Sequence, residues 1–410
     1  MDPALIHSRI RKGPTTMIRI PLKQHVGSPN QPIVAVDEIV RRGQLIAEPN
    51  GLGARIHSSV DGVIKVVNAD EICIEKHDIQ SEGFVEIDQT KSNLEAIMLA
   101  GVVGAGGAGF PSHVKFDVTL EGGVIIANAA ECEPVLHHNT KTLESSSDEI
   151  IRGLQYVVEM TGAAKGIVAI KPKYKEIVAT LIKQASKASL KGEKIEVKML
   201  PNMYPAGDER VIVRELLGVE LAPGELPLKA NAVVTNTETL KNVTRAIENR
   251  QPVITKDVTV GGKVKDSSTG RVFLEIPIGT PVNQLINECG GLQIGHGEIV
   301  LGGPFTGKRG TEDDVVTKTM GGVLVAVEFP KDTRKVGTIA CECGADADRL
   351  REIAASMGAE VIAEEMCKRM TEVNGRFRCD LPGSCPGQTD KVLALRKKGA
   401  QIILTGTCED

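Results

Sequence analysis

Gly101-Val-Val-Gly-Ala-Gly-Gly-Ala-Gly-Phe-Pro-Ser-His-Val-Lys115 and, shortly after it, Val124-Ile-Ile-Ala-Asn-Ala-Ala-Glu-Cys-Glu-Pro134 decide how this chain is read. The first piece carries Gly104, Gly106, Gly107 and Gly109 within six positions. Glycines at that density let backbone N–H groups crowd onto a phosphate, because no Cβ stands in the way. Lys115 adds a point charge nearby. A tight packing turn would give the same pattern, so the loop alone is a weak signal. The second piece sharpens it. Val124 to Ala127 is an uninterrupted apolar run, the mark of a short strand buried on both faces. Asn128, Glu131 and Glu133 follow at its end, where open α/β sheets place ligand-binding groups.

Composition bounds the rest. At 410 residues the chain is long enough for several domains. Aromatic residues make up 2% and there is no Trp, so cores are built from Val, Ile, Leu and Ala, and stacking on nucleic-acid bases is excluded as a mode of action. A net charge of −4 gives no electrostatic case for nucleic acid or anionic lipid. No apolar run reaches membrane-spanning length and the first residues lack a signal-peptide core, so a cytoplasmic protein that does not itself span a membrane is expected. Nine cysteines in such a chain point to redox or metal chemistry rather than to structural disulfides.

Residues 1–90 alternate β-like runs with turn residues, broken at Gly43 and Gly62. Residues 91–245 alternate strands and helices, which implies a parallel sheet with right-handed crossovers. Ser146-Ser-Asp-Glu149 reads as a capping box that starts a helix. Gly166 to Ile170 and Ile195 to Leu200 read as strands, and Tyr174 to Ala188 as a helix. Residues 246–330 return to β structure, with a helix-like run from Pro281 to Cys289. Beyond residue 330 a small α/β unit is expected: strand Val336–Ala340, helix Asp346–Met357, strand Glu360–Ala363, helix Gln388–Lys398 and strand Gln401–Thr407. Cys341, Cys343 and Cys408 fall at its strand ends, before helices, where thiol pKa values are lowered. A zinc or iron–sulfur site from Cys341, Cys343, Cys379 and Cys385 is the competing reading, although the spacings suit no common knuckle. His57 reads as a structural histidine and Cys73 as an inert buried thiol.

Gly-x-Gly-Gly-Ala-Gly-Phe-Pro followed by Asn-Ala-x-Glu-x-Glu-Pro resembles the flavin-binding subunit of respiratory NADH dehydrogenases. It is closer still to the RnfC component of Rnf-type electron-transport complexes. Tyr204-Pro-Ala-Gly-Asp-Glu209 resembles that family's Tyr-x-x-Gly-Glu-Glu motif, and Asn236-Thr-Glu-Thr-Leu240 its Asn-x-Glu-Thr-Leu motif. The resemblance implies an N-terminal barrel-sandwich domain over 1–90, a Rossmann-like FMN- and NADH-binding domain over 91–245, a β-grasp domain of the soluble-ligand-binding type over 246–330 with no site of its own, and a cysteine-rich unit over 331–410. It implies FMN held by Gly104, Gly106, Gly107, Gly109, Phe110, Lys115, Asn128, Asn236 and Thr237. Glu131, Glu133, Tyr204, Gly207, Asp208 and Glu209 are the further positions of the nucleotide site. Two departures stand out: the respiratory proteins have arginine in place of Ala105 and an acidic residue in place of Ala130. The ferredoxin-type cysteine runs of the RnfC proteins are missing after residue 330, so no [4Fe–4S] cluster is expected.

An Rnf-like body with a cysteine tail of this kind resembles the electron-transfer protein associated with D-proline reductase. That likeness implies electron transfer from reduced nicotinamide through FMN and thiol or selenol groups to a partner reductase, with a membrane electron-transfer complex as another possible partner. Cys408, Cys341 and Cys343 are the expected catalytic thiols. The same likeness implies a longer chain, with a selenocysteine immediately after Asp410 and Cys408 as its resolving thiol; a natural end at Asp410 is the alternative. Two other readings stay open: a non-catalytic adaptor with a decayed flavin site, and a cobalamin-reductase-like protein of a microcompartment.

Overall fold

A computed structural model describes residues 17–107, 109–189 and 194–406. Cys408 and the expected continuation beyond it lie outside those residues. The structure is a mixed α/β chain built on several open sheets.

The N-terminal part carries two small sheets. One orders Met17–Pro21, Glu71–Lys76, Gly62–Val67 and Ile39–Val40; the other orders Gln31–Pro32, Leu45–Glu48 and Ile56–His57. They share one apolar core that includes Ile18, Ile20, Ile46, Ile56, Ile64 and Ile74. Cys73 lies in this region, and burial pushes its thiol up to about 11. His57 is likewise buried, and desolvation holds it in the neutral form.

The central sheet is parallel throughout, in the order Ile195–Met199, Lys165–Ile170, Val124–Ala129, Ala232–Asn236. Strand Val124–Ala129 shows why an unbroken apolar run is needed there. Ile125, Ala127 and Ala129 join one core, while Val124 and Ile126 join another on the opposite face. A strand covered on both sides cannot alternate polar and apolar residues. Helices His138–Thr161, Lys175–Ser189, Glu209–Leu217 and Thr237–Glu248 accompany the sheet. The expected helix start at Ser146 needs correcting. Ser146 is instead a kink, at φ −135° and ψ 28°, inside a helical run that begins at His138.

A five-stranded mixed sheet follows, in the order Arg271–Pro277, Thr255–Gly262, Gly322–Val327, His296–Leu301, Lys308–Gly310. Helix Val282–Glu288 buries Val282, Leu285 and Ile286 against Val258, Val260 and Val323. The last unit is a three-stranded parallel sheet, Val361–Met366, Val336–Ala340 and Ile402–Thr405, with helices Ala347–Met357 and Thr389–Lys397. The sequence reading missed a hairpin here, Met370–Val373 with Arg376–Cys379.

Lys318 joins the first three parts. Its side chain is wholly buried, and its Nζ donates to the carbonyl of Arg55 at 2.6 Å and to that of Gly101 at 2.7 Å. Its own N–H donates to Gln24 Oε1 at 3.0 Å. Three segments far apart in sequence thus meet at one amine, at the root of the glycine loop. Replacing it by Met orphans two buried carbonyls, so Lys318→Met should lower the unfolding free energy by about 2–4 kcal/mol. Urea denaturation followed by circular dichroism measures this, and a loss below about 0.5 kcal/mol would show that the clamp holds nothing.

Candidate functional site

A cleft of about 970 Å³ opens at the carboxyl ends of strands Val124–Ala129 and Ala232–Asn236. That is where side chains of a parallel sheet converge on a ligand, and the volume suits one of cofactor size. The sheet lifts Asn128 and Asn236 to the cleft at matched register, Asn236 beside Asn128.

The glycine loop is fixed from several sides. The Gly104 N–H donates to the Phe110 carbonyl at 3.0 Å, closing the loop, and the Gly109 carbonyl accepts from Val26 N–H at 3.2 Å. Ala105 N–H donates to Thr239 Oγ1 at 2.9 Å. Helix Thr237–Glu248 itself is anchored by two buried ion pairs, Glu238 with Lys256 and Lys241 with Asp257. Asn236 caps that helix, its Oδ1 accepting from Glu238 N–H at 2.8 Å. The next residue, Thr237, has a buried hydroxyl with no partner among the described residues.

Of the residues singled out in the sequence, the structure brings Gly106, Gly107, Asn128, Glu131, Glu133, Tyr204, Gly207, Asp208, Asn236 and Cys343 to the cleft wall. Gly104, Gly109, Phe110, Lys115, Glu209, Thr237 and Cys341 do not line it. The reasons are local. Gly104 and Gly109 are committed to loop closure, as above. Lys115 pairs with Glu209 at 3.1 Å, so each satisfies the other's charge away from the cleft. Asp208 is occupied as the N-cap of helix Glu209–Leu217, accepting from Arg210 N–H at 2.8 Å and Val211 N–H at 3.3 Å. Asn128 donates to the Gly207 carbonyl at 2.9 Å and accepts from Ala130 N–H at 3.1 Å, which locks the strand end to the 204–208 turn.

Other lining groups were not foreseen. The five-stranded sheet was expected to carry no site, yet its Gly302–Gly303 turn and Thr306 form one wall. Glu133 binds this turn, accepting from Phe305 N–H at 3.0 Å and Thr306 O–H at 2.6 Å. A Cβ added at Gly303 would sit 2.2 Å from the Glu133 carboxyl carbon, so any larger residue there would displace the Glu133 side chain from this turn. Arg210, Lys308, Arg309 and Arg378 bring positive charge to the same cleft. The C-terminal unit docks on its edge. Arg210 donates to the Cys379 carbonyl at 2.6 Å and to Glu342 at 3.1 Å, Arg214 donates to the Pro382 carbonyl at 2.9 Å, and Tyr204 O–H donates to the Cys343 carbonyl at 2.7 Å. Isolated arginines give no sequence signal for such docking, because each acts on a partner more than a hundred positions away.

Glu131 has the altered electrostatics. Burial pushes its carboxyl up to about 7, against a hydrogen bond from Asn139 Nδ2 at 2.9 Å that favours the ionised form, and neighbouring Glu133 adds repulsion.

The chain matches two family models, the RnfC barrel sandwich hybrid domain over residues 7–90 and the Nuo51 FMN-binding domain over 97–245. It is similar to the RnfC-type component of the Na+-translocating ferredoxin:NAD+ oxidoreductase complex of Acetobacterium woodii, 30% identical over 345 residues, covering 78% of this chain and 75% of that one. The corresponding component of the proton-translocating complex of Clostridium ljungdahlii is 32% identical over 332 residues, covering 74% and 69%. The cobalamin reductase of Salmonella typhimurium is 38% identical over 232 residues, covering 56% of this chain and 49% of its own length, so this chain spans about half of that relative. Among the described residues, no helix is long and apolar enough to cross a membrane.

The Glu131 shift makes a test. Between about pH 4.5 and 7 the folded chain keeps a proton on Glu131 that the unfolded chain has released. Stability therefore falls with rising pH across that window, by up to about 1.4 kcal/mol per unit. Glu131→Gln should flatten that part of the stability profile, measured by urea midpoints from pH 4.5 to 8. A variant with the wild-type slope would show that Glu131 titrates normally.

Proposed function

The chain belongs to the RnfC family of the ion-translocating ferredoxin:NAD+ oxidoreductases, and on that premise we propose that it is an FMN-dependent electron-transfer flavoprotein. The observation that carries this reading is the meeting of Gly106 and Gly107 with Asn236, at the N-cap of helix Thr237–Glu248, on one cleft wall. The helix N-terminus and the glycine amides suit a phosphate. The unpartnered Thr237 hydroxyl is a further polar atom at the same helix start. These features fit the phosphate end of FMN.

When bound, the flavin supplies two-electron chemistry and a link to one-electron carriers. The protein's own residues do the positioning. Asn128 and Asn236 hold the strand ends that form the cleft floor. Glu133, fixed by Phe305 and Thr306, sets the width between the central sheet and the 302–307 turn. Lys308 and Arg309 offer charge to the pyrophosphate of a nicotinamide donor. Ala105 and Ala130, which replace charged residues of the respiratory proteins, leave donor selection to these two side chains. In this reading residues 1–90, 91–245, 246–330 and 331–410 act as barrel-sandwich, flavin-binding, β-grasp and thiol-bearing domains. Electrons leave through thiols of the last domain toward a partner reductase of the D-proline reductase kind, or toward a membrane electron-transfer complex.

The likeness to cobalamin reductases favours a second reading, in which the flavin passes electrons to a corrinoid. Cob(III)alamin and a disulfide offered as alternative acceptors separate the two.

Fluorescence titration of the folded protein with FMN should show one saturable site. Gly106→Val places carbon against Asn236, whose Nδ2 lies 3.0 Å from a Cβ built at 106, and should weaken binding at least tenfold, about 1.4 kcal/mol. Absence of saturable binding to the folded wild type overturns the flavoprotein reading.

A further inference from the structure

We propose that Cys341, Cys343 and Cys379 form a three-thiol redox centre in which Cys343 makes a disulfide with one neighbour at a time and is the member reached from the cleft. This deepens the flavoprotein reading and rests on it for the source of electrons.

The centre is assembled by topology. Cys341 follows strand Val336–Ala340 and Cys367 follows the adjacent parallel strand Val361–Met366, so both lie at the carboxyl edge of that sheet. Cys343 sits in the turn before helix Ala347–Met357, and Cys379 ends the hairpin strand Arg376–Cys379. Glu342 lies between Cys341 and Cys343 and its carboxylate accepts from Cys379 N–H, which brings the three cysteines together at one turn. Cys341 is only 2% exposed and Cys379 5%, whereas Cys343 is half-buried and lines the cleft. Cys367 also neighbours Cys341, and its sulfur accepts from Gln388 Nε2 at 2.9 Å.

The backbone at two of the three thiols is pinned by cleft residues. Tyr204 holds the Cys343 carbonyl and Arg210 the Cys379 carbonyl. Glu342, between the first two cysteines, accepts from Cys379 N–H at 2.5 Å and from Arg378 at 2.6 Å. A centre tied so tightly to one wall of the cleft is placed to exchange electrons with what the cleft holds.

The protonation pattern agrees. Hydrogen bonds from Cys343 pull the Cys341 thiol down to about 6 despite its burial, and Cys379 is lowered by the same neighbour. Cys343, facing two incipient thiolates, is pushed up and keeps its proton. The thiolate is the attacking form in disulfide exchange, so Cys341 is poised to attack a Cys343–Cys379 disulfide. That attack forms the Cys341–Cys343 bond, breaks Cys343–Cys379 and releases Cys379 as thiolate, with no net change of oxidation state. Net reduction breaks the S–S bond and delivers two electrons and two protons to the sulfurs from a dihydroflavin, which is oxidised. Net oxidation runs through a disulfide of the partner. Cys343, the accessible thiol, passes its proton to a neighbouring thiolate and attacks the partner's disulfide, forming a mixed disulfide and releasing one partner thiolate; Cys341 or Cys379 then attacks Cys343 to form the internal disulfide, releasing the second partner sulfur and leaving the partner as a dithiol.

The test is a redox titration of the full-length protein in dithiothreitol buffers, with and without FMN, followed by alkylation and peptide mapping. A single two-electron transition is expected, with a linked peptide joining Cys343 to Cys341 or Cys379. Cys343→Ser should abolish every linked peptide. Cys341→Ser should leave only the Cys343–Cys379 bond, and Cys379→Ser only the Cys341–Cys343 bond. Buried Cys73 and Cys289 serve as internal references that never link. Wild-type protein showing no linked peptide at any potential overturns the proposal, whatever the variants do. So does one zinc per chain that shields these thiols from alkylation. The titration needs no flavin, so its failure leaves the flavoprotein reading standing, and a failure to bind FMN leaves a positive thiol result standing.

Discussion

A single buried amine sets the geometry on which the rest depends. Lys318 lies in the last loop before strand Gly322–Val327, and its Nζ reaches the Arg55 carbonyl in the N-terminal sheets and the Gly101 carbonyl at the start of the glycine loop. A carbonyl buried without a donor costs about 1–3 kcal/mol, so each of these strongly prefers the arrangement that keeps the amine in place. Burial lowers the Lys318 amine to about 7. Register between the N-terminal sheets, the parallel sheet and the five-stranded sheet is thereby fixed at one point, and the cleft is the space left between them.

A second constraint acts on the cleft floor. Glu238 and Lys241, three residues apart on one face of helix Thr237–Glu248, reach into strand Thr255–Gly262 to pair with Lys256 and Asp257. Thr142 O–H adds a bond to Asp257 at 2.7 Å, and the pairing pulls the Asp257 carboxyl down to about 2. Buried pairs are weak sources of net stability, but removing one partner leaves a costly bare charge. Their effect is to hold the helix in one position, which places Asn236 at the glycine loop. Pre-organisation of this sort is what a phosphate site built from backbone amides requires.

Much of this was legible because the signals are local. The apolar run at 124–127 gives a strand buried on both faces, and the glycine spacing gives a loop that closes on itself through Gly104 and Phe110. Cys341 could be placed at the end of strand Val336–Ala340 from periodicity alone. The failures share a cause. Lys115 and Glu209 belong to separate motifs, and nothing in either shows that they pair with each other across the fold. The wall made by Gly302, Gly303 and Thr306 was invisible because its role depends on a contact with Glu133, far upstream. Arg210, Glu342 and Arg378 carry no motif at all; only tertiary packing makes them neighbours. Ser146 was read correctly as a break in helical geometry and wrongly as a beginning, because a kinked helix and a capped one share the same residues.

The central claim is that three separate segments, the glycine loop, the 204–208 turn and the 302–307 turn, close on one flavin phosphate and its ring system. Hydrogen–deuterium exchange of the folded protein with and without FMN tests this directly. The account predicts that amides in all three segments slow together on FMN addition, while the edge strand Ile195–Met199 is unchanged. Slowing confined to one segment, or located away from the cleft, would contradict it.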